Sequence, residues 1–340
     1  MTTAAALCLA AALQMMGSTN YTASKSNTGD FVVVQSGHNG QPGSLLRYSA
    51  GGRLLGTIAT LPNGIAVAKS RGNYMVVTGS ALVQVTPTGS ATTIAHAPSG
   101  SAGFTGWIAI TADQLGNLIV VDNLQHAVWR VTPGSGSSVV TKVANYAVDD
   151  TIHPEDAAVA MDRDGNYLVL EDNAGSVHLF LVTPAGTVTP ILFNGPTATQ
   201  CRTSLIPYGE SYLFVSPAEN AVFEFQREYP TFTALTVQLA SNVAPSGTAT
   251  SVAADQDTGD IYVTTDTGPV VHISGVGLPI KEAGTGDCAA NCVVIQIANV
   301  PVDPRDVWRS AAPGGGGSLD HRFLHREHGL CVGQLLDQLL

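Results

Sequence analysis

Apolar and polar residues along this chain fall into short runs set between Gly, Asn, Asp and Pro turns. One pattern recurs: a glycine, usually a polar residue, then a run of β-branched or aromatic residues. It reads GDFVVV from Gly29, GNYMVV from Gly72, GNLIVV from Gly116, GNYLVL from Gly165, GESYLFV from Gly209 and GDIYVT from Gly259. The intervals are 43, 44, 49, 44 and 50 residues. Another apolar segment precedes the later boxes (GIAVAKS, WIAITAD, DAAVAMD, TSLIPY, TSVAAD), and a third follows (ALVQVTP, HAVWRVTP, SVHLFLVTP, NAVFEFQ, PVVHIS). A fourth run, such as TVTPILF, closes the better units. Short Val/Ile/Tyr/Thr-rich runs between turns predict antiparallel strands in place of helices, four to a unit.

A lone four-stranded sheet leaves both faces uncovered, whereas similar sheets set side by side in a ring bury those faces against each other. The repeat therefore predicts an all-β chain folded as a β-propeller of four-stranded antiparallel blades over residues 19–312. Six boxes give six blades. The segment PVDPRDVWRSAA, from Pro301, either closes the ring onto the first blade or completes a seventh.

Composition narrows the partners. The 340 residues are 44% hydrophobic, enough for a large core, and only 12% charged. With 15 Lys+Arg against 26 Asp+Glu, the net charge of −11 repels nucleic acid and anionic lipid. No apolar run reaches the ~18 residues of a membrane span. The opening MTTAAALCLAAALQMM, followed by Gly17 and Ser18, reads as a leader over residues 1–18, with a secreted or periplasmic destination. Cys288 and Cys292 are spaced to close a small disulfide loop. After Pro313 come GGGGS and a tail carrying His321, His325 and His328, so residues 313–340 read as a linker and an atypical extension. The chain is expected to be monomeric.

The unit PNGIAVAKSRGNYMVV, repeated as EDAAVAMDRDGNYLVLEDNAGSVHLFLVTPAG, resembles the NHL-type repeat of six-bladed propellers. It is also similar to the wider group that includes the senescence-marker/gluconolactonase family and the streptogramin lyases. That resemblance covers nearly the whole body of the chain and implies a divalent cation, often calcium, held in the central channel by Glu, Asn and Asp from different blades. Where the family has an acidic motif near its start, this chain carries Gln35.

Aligned on the glycine boxes, one position marks the end of each second strand: Gln35, Thr78, Asp122, Glu171, Thr265 and, in the irregular fifth unit, Ser216. The next position supplies Asn123, Asp172 and Asp266. Links into the first strands add Asn63 and Glu155. Hard cations take six to eight oxygens, so Asn63, Asp122, Glu155, Glu171, Asp172 and Asp266 are the candidate metal ligands, with calcium as the expected ion. Each of them alone also fits a turn-forming or solvated loop residue. His153, beside Glu155 in IHPED, is the candidate proton-transfer residue, with His38 and His126 on the same face as rivals. DRDG at Asp162 reads as a turn on the opposite face, and Trp107, Trp129 and Trp308 as packing residues. No GxSxG elbow, GxGxxG loop or phosphate loop is present.

Two functions remain open. One is a divalent-cation-dependent hydrolase of lactones or related esters at the channel mouth, with a streptogramin-type lyase as its variant. The other is a non-catalytic scaffold that binds a protein, peptide or glycan on the same face.

Overall fold

The computed structural model describes residues 14–15, 30–35, 42–49, 51–62, 64–98, 106–146, 156–173, 176–193, 204–208, 211–216, 219–228, 233–241, 243, 249–254, 260–265, 269–274 and 293–299. These are almost entirely β-structure, arranged as successive four-stranded meanders. The first comprises β1 (Gln14–Met15), β2 (Phe31–Gln35), β3 (Gly43–Tyr48) and β4 (Leu54–Leu61). The second comprises β5 (Ala66–Ser70), β6 (Asn73–Val77), β7 (Ala81–Val85) and β8 (Ala91–His96). The third comprises β9 (Trp107–Ala112), β10 (Leu118–Asp122), β11 (Ala127–Thr132) and β12 (Val139–Asn145). β13 (Asp156–Met161), β14 (Tyr167–Asn173), β15 (Ser176–Val182) and β16 (Val188–Phe193) make the fourth. β17 (Leu205–Tyr208), β18 (Ser211–Ser216), β19 (Ala221–Glu228) and β20 (Thr233–Ser241) make the fifth. The sixth is β21 (Ala249–Ala254), β22 (Ile261–Thr265), β23 (Pro269–Ser274) and β24 (Val293–Asn299).

The recurring glycine has a local cause. Gly72, Gly116 and Gly165 sit in the turn from first to second strand with φ of 79°, 80° and 82°, a left-handed conformation that a side chain disfavours. Beside them, Asp113 and Asp162 lock the same turn. Asp162 Oδ1 accepts from the backbone N–H of Asp164 and Asn166 at 2.9 and 2.7 Å, and Asp113 does the same for Leu115 and Asn117. DRDG is thus a turn, as its sequence indicates.

First strands lie next to one another in the order β1, β5, β9, β13, β17, β21, and β21 lies next to β1, which closes the circuit. Between successive sheets run apolar seams. Val34 and Leu45 meet Val67 and Tyr74; Trp107 and Val120 meet Met75 and Leu82; Ile119 and Val121 meet Tyr167 and Val169. Further round, Leu170 and Leu179 meet Phe214 and Phe223, and Leu213 and Val215 meet Val252 and Val263. Phe31 closes on Tyr262 with ring centroids 4.9 Å apart. Alternate residues of one strand therefore serve two seams, which is why the second strands read as nearly continuous apolar runs. Trp107 and Trp129 are 0% and 8% exposed, in the packing role expected of them.

Two features were not anticipated. β16 and β20 pair in parallel at Leu192↔Thr233 and Phe193↔Ala234, which joins the fourth and fifth sheets. Outer strands expose unpaired backbone groups, and here two such edges satisfy each other. The short β1 pairs with Phe31 and Val32 from inside the segment read as a leader. The Cys288–Cys292 loop, the Pro301 segment, Trp308 and the 313–340 tail lie outside the described residues.

Candidate functional site

Second strands all end on one face of the molecule, and the polar positions predicted there occupy equivalent places. Thr78, Asp122, Ser216 and Thr265 are buried at or just beyond the ends of β6, β10, β18 and β22, and Glu171 is buried two residues before the end of β14. Gln35 ends β2 and is half-buried. This ring of oxygen-bearing side chains is the convergence expected from the sequence, but each member is occupied differently.

Asp122 is wholly buried and serves its own turn. Its Oδ1 accepts from the backbone N–H of Leu124 and Gln125, each at 3.0 Å, and its Oδ2 accepts from Gln125 Nε2 at 3.1 Å. Burial pushes the Asp122 carboxyl above the usual carboxylate range, and the N–H groups of Gln125, Leu124 and Gly106 hold that rise back. Gly106 fits against this turn because it lacks a side chain. A Cβ there would lie 2.5 Å from Asn123 Oδ1 and 2.8 Å from Asp122 Oδ1.

Glu171, 1% exposed, faces the seam between the third and fourth meanders and meets His126 of the third. His126 Nδ1 lies 3.1 Å from Glu171 Oε1, with the two side chains 18% and 2% exposed. The loop holds the imidazole in place: His126 has φ 44°, and its carbonyl accepts from the Tyr146 N–H at 2.8 Å. The Tyr146 ring stands edge-on to the imidazole, with centroids 6.1 Å apart. In the tautomer in which Nδ1 donates to Glu171, Nε2 is the acceptor nitrogen, the arrangement that suits a histidine to accept and return a proton. Sequence reading ranked His126 below His153 and did not link it to Glu171. The two are 45 positions apart, and only the stacking of one unit on the next joins them.

His153, Asn63, Glu155, Asp266 and His38 lie outside the described residues, as does the side chain of Asp172. Among the described residues no three His, Cys, Asp or Glu side chains gather as a metal site requires. Asp122 is taken up by its turn and one Glu171 oxygen by His126; the other four side chains of the expected cation set lie outside the described residues. His178 and His272 lie within β15 and β23.

No family model matches this chain, and no curated protein matches it. Solved structures do. Virginiamycin B lyase of Staphylococcus aureus aligns with a TM-score of 0.50 at 12% identity over 80% of this chain and 89% of that one. A protein of Bacteroides thetaiotaomicron described as of unknown function gives 0.52 at 13% identity over 70% of this chain and 64% of that one. An auxiliary nutrient binding protein of Bacteroides ovatus gives 0.51 at 11% identity over 71% and 64%. At such identities the likeness concerns fold alone. Joined to the circuit of antiparallel meanders described above, it makes this chain a β-propeller.

Proposed function

We propose that the protein is an enzyme acting on a small lactone or related ester, at the rim of the seam between the third and fourth of six blades. His126 transfers the proton and Glu171 orients it. The observation that carries this reading is the Nδ1–Oε1 contact of 3.1 Å between a partly exposed imidazole and a buried carboxylate. In the proposed step, His126 Nε2 takes a proton from water as the oxygen adds to the carbonyl carbon. The ring C–O bond then breaks, and the imidazolium returns the proton to the departing alkoxide. Glu171 keeps the proton on Nδ1 and offsets the positive charge of the imidazolium. Architecture does not choose the chemistry, since the same fold serves a lyase in one similar protein and nutrient binding in another.

Hydrolysis of a lactone and ester panel tests the proposal. H126Q should lower kcat/KM by roughly 10²–10⁴. E171Q should lower it less and shift the pH profile, because the amide still accepts a hydrogen bond but no longer offsets charge. Wild-type-like rates in H126Q would overturn the assignment. Chelation forms a separate arm: activity lost on chelation and restored by calcium would move the chemistry to the cation set of Asn63, Glu155, Asp172 and Asp266. A protein inactive on the whole panel that retains a peptide or glycan would favour the scaffold reading.

A further inference from the structure

The residue paired with the third position after the box glycine, or its equivalent in the irregular fifth unit, recurs in every third strand: Arg47, Gln84, Arg130, Leu181, Glu224 and His272. Where the position is an arginine, it donates hydrogen bonds, and where it is a histidine, an acid stands close by. Arg47 Nη2 donates to Asp30 at 2.6 Å. Arg130 Nη2 crosses to the next meander, donating to Tyr167 Oη at 2.8 Å and the Pro184 carbonyl at 3.1 Å. His272 Nε2 lies 3.1 Å from Asp260 Oδ1.

In the fifth meander the same position is an acid. Glu224 is 5% exposed, and neither carboxylate oxygen has a hydrogen-bond partner of good geometry among the described residues. Its neighbours Phe223 and Phe225 face the fourth meander, while Val222, on Glu224's own side of β19, faces the sixth. Glu224 therefore projects into the apolar seam lined by Leu213, Val252, Ala254 and Ile261. The polar groups beside it are Ser211 from β18 and Tyr208 from β17, with Asp260 ahead of β22 near Tyr208 and His272 3.1 Å from Asp260. None of these is a dedicated cation. An ionised carboxylate in such a seam is costly and a protonated one much less so.

We propose that the seam between the fifth and sixth blades is a pH-responsive joint, closed while Glu224 carries its proton and loosened when it loses it. Burial raises the Glu224 carboxyl above its usual value, and the Ser211 hydroxyl offsets this only in part. The nearby Glu224 and Asp260 charges act with burial to raise the Tyr208 phenol as well. Because the folded-state value is raised, the contribution to stability is complete below about pH 4.5, the ordinary glutamate value, and is lost as pH climbs through the folded-state value above it. The joint lies away from the His126–Glu171 pair and does not depend on the enzymatic reading.

Thermal unfolding of wild type, E224Q and D260N from pH 4 to pH 9 tests the joint. E224Q should melt higher than wild type at pH 8, by on the order of 2–5 °C, with the gap closing toward pH 4.5. D260N should keep most of the wild-type slope. Amide exchange on the wild type gives a second measurement that does not depend on a variant. After correction for intrinsic rates, protection in β18, β19, β21 and β22 should fall about tenfold between pH 5 and pH 8, relative to the seam between the first and second meanders. A pH-independent gap, a slope abolished only by D260N, or uniform protection would overturn the proposal.

Discussion

Asp122 shows how one buried side chain can look like a ligand and act as a brace. Its carboxylate is enclosed, and it holds a turn through two backbone N–H groups and the Gln125 amide. D122A should lose about 2–3 kcal/mol, since it leaves those donors without their acceptor. D122N keeps an acceptor and removes the charge that burial disfavours. The Asp122 value is raised in the folded state, so its favourable contribution is lost as pH rises through that value. D122N keeps the Oδ1 acceptor but turns an N–H toward the Gln125 Nε2 donor, so it should lose less stability than D122A at pH 7, and urea denaturation at pH 4 and pH 7 measures both effects. Gly106→Ala presses a Cβ onto the same turn, 2.5 Å from Asn123 Oδ1, and should cost about 1–3 kcal/mol in the same assay.

At the scale of elements, strands pair within a meander by backbone bonds, and meanders are joined mainly by side chains. Arg130 is one such link, donating to Tyr167 Oη across the third seam. A double-mutant cycle with R130M and Y167F should give a coupling of about 0.5–1.5 kcal/mol by chemical denaturation. A value near zero would reduce the contact to incidental proximity. At the same end of the sheets Arg71 Nη2 donates to the Leu115 carbonyl at 2.7 Å, tying the turn of the second meander to that of the third. Individual strands were legible from their short apolar runs because a strand buried on both faces needs apolar residues throughout. The parallel link between β16 and β20 was not legible. It depends on two outer edges meeting in space, and neither sequence carries a mark of the other.

For the molecule as a whole, closure is the step on which the ring depends. Gln14–Met15 pairs with β2 and lies against β21 and β5, so the inner circuit closes through a two-residue strand. The same residues fall within the stretch read as an export leader. Removal of residues 1–18 should lower the melting temperature by several degrees and loosen β2 in amide exchange. An unchanged melting temperature would leave closure to another segment.

The repeat alone determined the class of fold, the position of the second strand of each meander and the face toward which Asp122 and Glu171 would lie, because strand period and turn chemistry are local properties. Which polar groups would meet was decided only in three dimensions. His126 and Glu171, Arg130 and Tyr167, and the buried Glu224 in its seam come from different units or face a neighbouring one. Side-chain chemistry across a seam depends on the rotation and stacking of whole sheets, and those follow from burying both faces of every sheet at once.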